Sequence, residues 1–202
     1  MAFALELSLP ENALIQHERS FQTLLERAAS GDNAAFEQIM VQTQHRVAAL
    51  TWRMLGNEAD ARDATQEVFL RFYKSLGRVR RDLDPSAWLY RIAVNVCRDI
   101  AAGRGRRQER FPSLENGSTA VSLEDGAEEA LVRRQERDLI ASAIATLPEK
   151  ERASVILRDI EGLSTEEVAR ILDSSPPTVR SQISSARKKI RAFCEPYVRG
   201  TR

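Results

Sequence analysis

The residues best equipped to touch another molecule lie between Leu163 and Arg191, LSTEEVARILDSSPPTVRSQISSARKKIR. Ser164 and Glu167 stand at capping-box spacing, which predicts a helix over Thr165 to Leu172 with Val168, Ile171 and Leu172 as its apolar stripe. Asp173 and Ser174 stop it. Ser175 is placed as the next N-cap, and Pro176 and Pro177 fall where helical N–H groups have no partner anyway, so they open a second helix. There Val179, Ile183, Ala186 and Ile190 form one stripe, while Arg180, Ser184, Arg187 and Arg191 repeat at the same intervals on another face. One side packs and the other is wet and cationic. In a helix-turn-helix, the second helix enters the major groove of DNA, its first turns meet base edges and later cations hold phosphates. Thr178, Arg180, Ser181, Gln182, Ser184 and Ser185 are the base-edge candidates; Arg187, Lys188, Lys189 and Arg191 are the phosphate candidates. A solvated basic face on an ordinary helical hairpin would share the charge. Agreement of cap, turn, stripe and charge favours the duplex-binding reading.

A second constellation sits upstream. Trp88, Arg91, Asn95 and Arg98 are spaced three, four and three, aligning an aromatic, two cations and an amide on one helical side. The preceding loop, GRVRRDLD over 77–84, adds Arg78, Arg80 and Arg81. Cations along a backbone with a flat side chain beside unstacked bases are what single-stranded nucleic acid requires. A core role for Trp88 with solvated arginines is the bland alternative. A third stripe, Asp63, Glu67, Leu70 and Lys74 with Gln66 beside it, sets a leucine among charges and reads as a protein-binding surface. No histidine stands at a ligand spacing from Asp63 and Glu67, and His17 and His45 are isolated, so neither a metal site nor catalytic machinery is expected. No glycine-rich loop cradles a phosphate, and no cofactor is expected.

Helices must position these residues, because apolar positions recur at helical spacing nearly everywhere outside 106–130. The expected fold is all-α, as two small domains. Helices are predicted over Phe21 to Ser30, Ala34 to Leu55 and Glu58 to Leu76, the third with Ala61, Ala64, Val68, Phe72, Tyr73 and Leu76 inward. Asp84 and Pro85 open a fourth, running to about Ala102, with Leu89, Ile92, Ala93, Val96 and Ile100 facing the core. Leu131 to Thr146 and Glu149 to Ile160 precede the helix-turn-helix. The expected division is a loosely ordered leader over 1–20, a four-helix domain over 21–105, a flexible acidic linker over 106–130, a second domain over 131–195 and a tail over 196–202.

With 202 residues, 43% hydrophobic and 29% charged, the chain is long enough for one or two domains with real cores. Its net charge of +1 hides segregation: 78–110 carries +5, 111–130 carries −5 and 174–202 carries +6. Two basic surfaces flanking an acidic strap suggest two contacts with a polyanion. Cys97 and Cys194 are too few for a disulfide framework or zinc site, and a reducing cytoplasm is the expected setting. The first 20 residues lack a basic n-region, and Glu6 and Pro10 break the apolar run, so neither a signal peptide nor a membrane insertion is expected.

Three segments in order, DARDATQEVFLRFYKSL (60–76), PSAWLYRIAVNVCRDI (85–100) and LPEKERASVILRDIEGLSTEEVARILDSSPPTVRSQISSARKKIR (147–191), resemble the bacterial extracytoplasmic-function (ECF) RNA polymerase sigma factors over about residues 21–195. The resemblance implies that the first domain is sigma region two and the last is region four. It implies that Asp63, Gln66, Glu67, Phe69 and Leu70 dock on core RNA polymerase. It further implies that the loop with Arg78, Val79, Arg80 and Arg81 and the helix with Trp88, Arg91, Asn95 and Arg98 recognise a partly melted promoter −10 element. Region four would read a duplex −35 element through Thr178, Arg180, Ser181, Gln182, Ser184, Ser185, Arg187 and Lys188, and an anti-sigma factor is an expected further partner. Val79 stands where the family often has an aromatic, Asp173 where glycine is usual, and Gln182 and Ser185 where arginines are frequent, so a −35 sequence does not transfer from relatives. A stand-alone helix-turn-helix regulator of the response-regulator type shares the C-terminal pattern, but residues 21–105 lack the alternating strands a receiver domain needs.

Overall fold

A computed structural model describes residues 21–78, 85–108 and 127–199, and every regular element among them is helical. In chain order these are α1 (21–29), α2 (Asn33–Leu55), α3 (Glu58–Ser75) with a 3-10 turn over Leu76–Arg78, α4 (Pro85–Gln108), α5 (Ala127–Ala145), α6 (Glu149–Val155), α7 (Thr165–Leu172) and α8 (Pro176–Arg199).

Local chemistry accounts for the breaks. Asp32 caps α2 by accepting the Ala35 N–H, and the same carboxylate takes Arg27 at 2.7 Å, so the α1–α2 corner is held from both sides. Gly56, at φ +64°, ends α2 in the left-handed region, and Asn57 then caps α3 through the Asp60 N–H. The Ser164–Glu167 capping box is present in both directions. Ser175 accepts the Thr178 N–H at 3.3 Å, as the proline spacing predicts. Asp173 closes α7 at φ +52°, a conformation that aspartate tolerates better than most side chains.

Around the first core, α2, α3 and α4 pack against one another. Phe72 is fully buried at its centre, with the Phe36 ring stacked 6.2 Å away. The hydroxyl of buried Thr51 lies 2.9 Å from that of Thr65 and 3.2 Å from the Ala61 carbonyl, which satisfies it while tying α2 to α3. In the second group α8 packs on α5, α6 and α7, and Val179, Ile183 and Ala186 form its buried stripe with Ile190 at the edge.

Several expectations change. Tyr73 does not face inward: it is half exposed, leaning edge-on over Phe36 with its hydroxyl 3.4 Å from Asn33, because it is turned about 100° from Phe72 on the helix. Helix α4 runs on to Gln108 and α5 begins at Ala127, so both ends of 106–130 are helical. The leader, 79–84, 109–126 and the last residues, 200–202, lie outside the described residues. Helix α8 passes through Pro196 to Arg199, into the expected tail. The single helix expected over 149–160 becomes α6 followed by a π turn, Ile156–Ile160.

Most consequential is α4. Leu89, Ala93 and Val96 are buried as expected and Ile92 and Ile100 are half-buried, but Tyr90, Val94 and Cys97 are buried too. Helix α4 packs on α2 and α3 on one side and on α7 on another. One hydrophobic cluster therefore runs from Phe21 to Ile183, across both helical groups. No helix among the described residues is long and apolar enough to cross a membrane.

Candidate nucleic-acid and protein interfaces

Helix α8 begins at the paired prolines, and its buried stripe decides which side chains remain outward. Thr178, Arg180, Ser181, Ser184, Arg187 and Lys188 are exposed, as are Lys189 and Arg191. Gln182 and Ser185 depart from the expectation of free base readers. The buried Ser154 hydroxyl donates to Gln182 Oε1 at 2.7 Å, and Ser185 donates to Glu151 at 3.1 Å. Both side chains border the stripe, where the buried Ser154 hydroxyl and the Glu151 carboxylate of the neighbouring helix need partners. Lys189 also pairs with Glu151, at 2.9 Å. Arg187 is gripped through two nitrogens by Asp159, at 2.8 and 2.6 Å, and this pairing raises its already high pKa. The π turn carries Asp159, so the element that sequence periodicity did not show is what fixes this arginine.

On α3, Asp63, Gln66 and Leu70 are exposed, Leu70 at 53%. Glu67 is partly covered, holding Arg71 at 2.7 Å, and Arg71 reaches on to Asp99 of α4 at 2.7 Å. Phe69 is corrected: it is 7% exposed and belongs to the core beside Val68, so it backs the stripe rather than contributing surface. Tyr73, missed by the inward assignment, joins Leu70 outside at a three-residue spacing, a signal that was present in the sequence.

On α4, Arg91 and Asn95 are exposed together. Trp88 is half-buried against the core, and its indole N–H donates to Ser75 Oγ at 3.2 Å, so the ring is positioned rather than free. Arg98 is turned away to Glu149 of α6, at 2.7 Å. Arg78 ends the 3-10 turn, whereas Val79, Arg80 and Arg81 fall outside the described residues. Cys97 is buried, and burial first, then the Glu149 carboxylate, pushes its thiol up to about 12. It stays protonated and inert. Cys194 is partly covered, and burial raises its thiol pKa as well.

Three outward faces on an all-helical frame, one cationic and in helix-turn-helix geometry, can be set beside known proteins. Residues 39–108 match the family model described as Sigma-70 region 2, and residues 137–190 match Sigma-70, region 4. The ECF RNA polymerase sigma-E factor of Escherichia coli (strain K12) is 35% identical over 184 residues, 88% of this chain and 96% of that protein. The chain belongs to the ECF sigma factors. The RNA polymerase sigma-H factor of Pseudomonas aeruginosa is 33% identical over 88% of this chain and 95% of its own. Among solved structures, CnrH in complex with the cytosolic domain of CnrY superposes with a TM-score of 0.65 at 26% identity, covering 88% of this chain and 98% of that one. The sigma factor RpoE from Bartonella quintana, solved with the anti-sigma factor NepR, shares the fold with a TM-score of 0.68 at 20% identity, covering 79% and 96%. In this sigma factor the region 2 match covers most of α2, with α3 and α4, and the region 4 match covers the C-terminal part of α5, α6, α7 and α8 as far as Ile190. Apart from Arg191, the two candidate DNA faces and the candidate protein face fall inside the matched segments.

Proposed function

We propose that this sigma factor binds core RNA polymerase through the α3 face, brings it to a −35 element through α8 and to a −10 element through α4, and helps separate the −10 strands. It carries out no chemistry of its own and works in the cytoplasm beside the polymerase. We assign 21–105 as region two and 131–195 as region four. The observation that carries the reading is the joint presence, in family order, of both matched regions, each presenting an outward polar face on its matched helices. The family match over 39–108, with no strand among the described residues there, disfavours the stand-alone regulator. The relative CnrH was solved with the cytosolic domain of CnrY, which supports a restraining protein partner, an anti-sigma factor, for this chain.

Run-off transcription with purified core polymerase on a genomic fragment library tests the whole assignment and reports the promoter. Asn95→Ala is expected to cut open-complex formation, since an exposed amide facing an unstacked base is lost, while core binding stays intact. Permanganate footprinting of the −10 region measures the first and gel filtration with core the second; loss of core binding would reassign that face.

Phosphate contacts should show in salt dependence. Lys188 is exposed and forms no ion pair with another described residue, so Lys188→Ala should lower the salt slope of duplex binding by about one unit with sequence preference unchanged. Arg187→Ala should lower it by less than one, because Asp159 already neutralises much of the guanidinium charge in the protein. Filter binding across a salt series checks both; a changed preference would move Lys188 to the base readers.

A further inference from the structure

The cations on the outward face of α8 are held unequally. Arg180 stands 3.8 Å from Glu166 of α7, too far for a hydrogen bond, and Lys189 reaches Glu151 through its single nitrogen at 2.9 Å. Arg187 differs. Its Nε donates to Asp159 Oδ2 at 2.8 Å and its Nη2 to Oδ1 at 2.6 Å, so one whole edge of the guanidinium is matched by one carboxylate and its plane is fixed. The side chain nevertheless stays 59% exposed. The N–H hydrogens left on Nη1 and Nη2 form an end-on fork, a shape that suits the oxygens of a single phosphate.

Asp159 is itself held by the fold. The π turn that carries it, Ile156–Ile160, is anchored by buried Ile156 and Leu157. The Glu161 N–H donates to the Ile156 carbonyl at 3.0 Å, the Leu163 N–H to the Leu157 carbonyl at 3.1 Å, and Arg158 Nη1 to the Leu163 carbonyl at 3.0 Å. Such turns are rare and concentrate at functional sites. An exposed ion pair contributes little to stability, and a carboxylate on a DNA-facing surface repels phosphate. Neither fold stability nor charge balance accounts for an acid placed there.

We propose that Asp159 is a positioning residue, which orients Arg187 so that its free edge meets a backbone phosphate of the −35 duplex. This rests on the assignment of Arg187 to DNA phosphate above. The carboxylate offsets part of the cation's charge, but it fixes a long side chain before DNA arrives, so less rotamer freedom is lost on binding. Removing Asp159 should therefore weaken duplex binding, although it takes a negative charge away from the phosphates.

Holoenzyme reconstituted from the full chain and core polymerase, titrated onto a −35-containing duplex from a promoter recovered by run-off transcription, reads the effect. Asp159→Ala should lower affinity about threefold to tenfold, the scale of freeing one long side chain, and Asp159→Asn, which keeps an acceptor, should lose less. In an Arg187→Ala background Asp159→Ala should lose nothing further and regain a little, since only repulsion of the phosphates is relieved. Arg187→Lys keeps the charge but not the fork and should lose about as much as Asp159→Ala. In the free chain the Arg187 Nε–H should exchange with water faster in Asp159→Ala while the melting temperature holds, because the side chain and not the fold is loosened. Unchanged or tighter binding by Asp159→Ala, with Arg187→Ala weakened, overturns the proposal and makes the carboxylate a charge screen. An equal loss in both backgrounds overturns it too, since Asp159 then acts through the region-four fold and not through Arg187. If Arg187→Ala binds as well as wild type, the phosphate assignment of Arg187 falls and the positioning role with it, whereas promoter-directed transcription by the wild type stands.

Discussion

Leu70→Asp is expected to weaken association with core polymerase by about 30-fold or more while moving the melting temperature of the free chain by no more than about 2 °C. Leu70 is 53% exposed on α3 and does not belong to the buried cluster of the first core. Its value lies in a complex, where an apolar anchor among charged neighbours is desolvated and a carboxylate in its place stays unpaired. A loss of at least 2 kcal/mol, about 30-fold in affinity, is the scale for such an anchor. Tyr73→Ala tests the neighbouring exposed ring, and Lys74→Ala, toward the rim of the same stripe, should cost little. Fluorescence anisotropy of labelled chain against core measures all three. Full affinity in Leu70→Asp would remove α3 from the docking surface.

Phe72→Ala should be the most destabilising single truncation of an aromatic side chain in the first group. The side chain is fully buried among α2, α3 and α4 and stacks on Phe36, so its removal leaves a cavity that packed helices cannot close. Such truncations cost about 3–5 kcal/mol, which for a chain of this length is a fall of roughly 6–20 °C in melting temperature. Phe72→Leu should lose far less. Calorimetry measures the shift, and its shape carries further information. The cluster that includes Phe72 extends into region four, so the whole profile should move as one transition. A profile that splits, with only one part displaced by Phe72→Ala, would show that the two groups unfold independently despite their shared surface.

The sites were unequally legible. The outward face of α8 was readable because Val179, Ile183 and Ala186 define the buried side, and position on a helix then dictates where Arg180, Ser184 and Lys188 point. Gln182 and Ser185 were not, since whether a border residue meets water or a polar group of the neighbouring helix depends on Ser154 and Glu151, each about 30 residues away in sequence. Phe69 followed the same logic: a family position suggests surface, and packing makes it core. Asp159 came to grip Arg187 only through the π turn, which leaves no apolar period to detect over five residues.

The order of helices, their caps and the charge segregation were determined by the chain itself, because a cap needs only residues three apart and a stripe only one or two turns. Ser164 with Glu167, Asn57, Asp32 and the prolines of α8 are local devices of this kind. Whether the two groups stand apart or together was decided at the tertiary level. A helix buried on two sides, as α4 is through Tyr90, Val94 and Cys97, differs from one buried on a single side only by which distant surface arrives to cover it. Arg53 and Glu161 are 108 residues apart, and no periodicity links them. Their pairing exists because folding brings the end of α2 beneath the π turn, where a carboxylate leaving water requires partners that only the other half supplies.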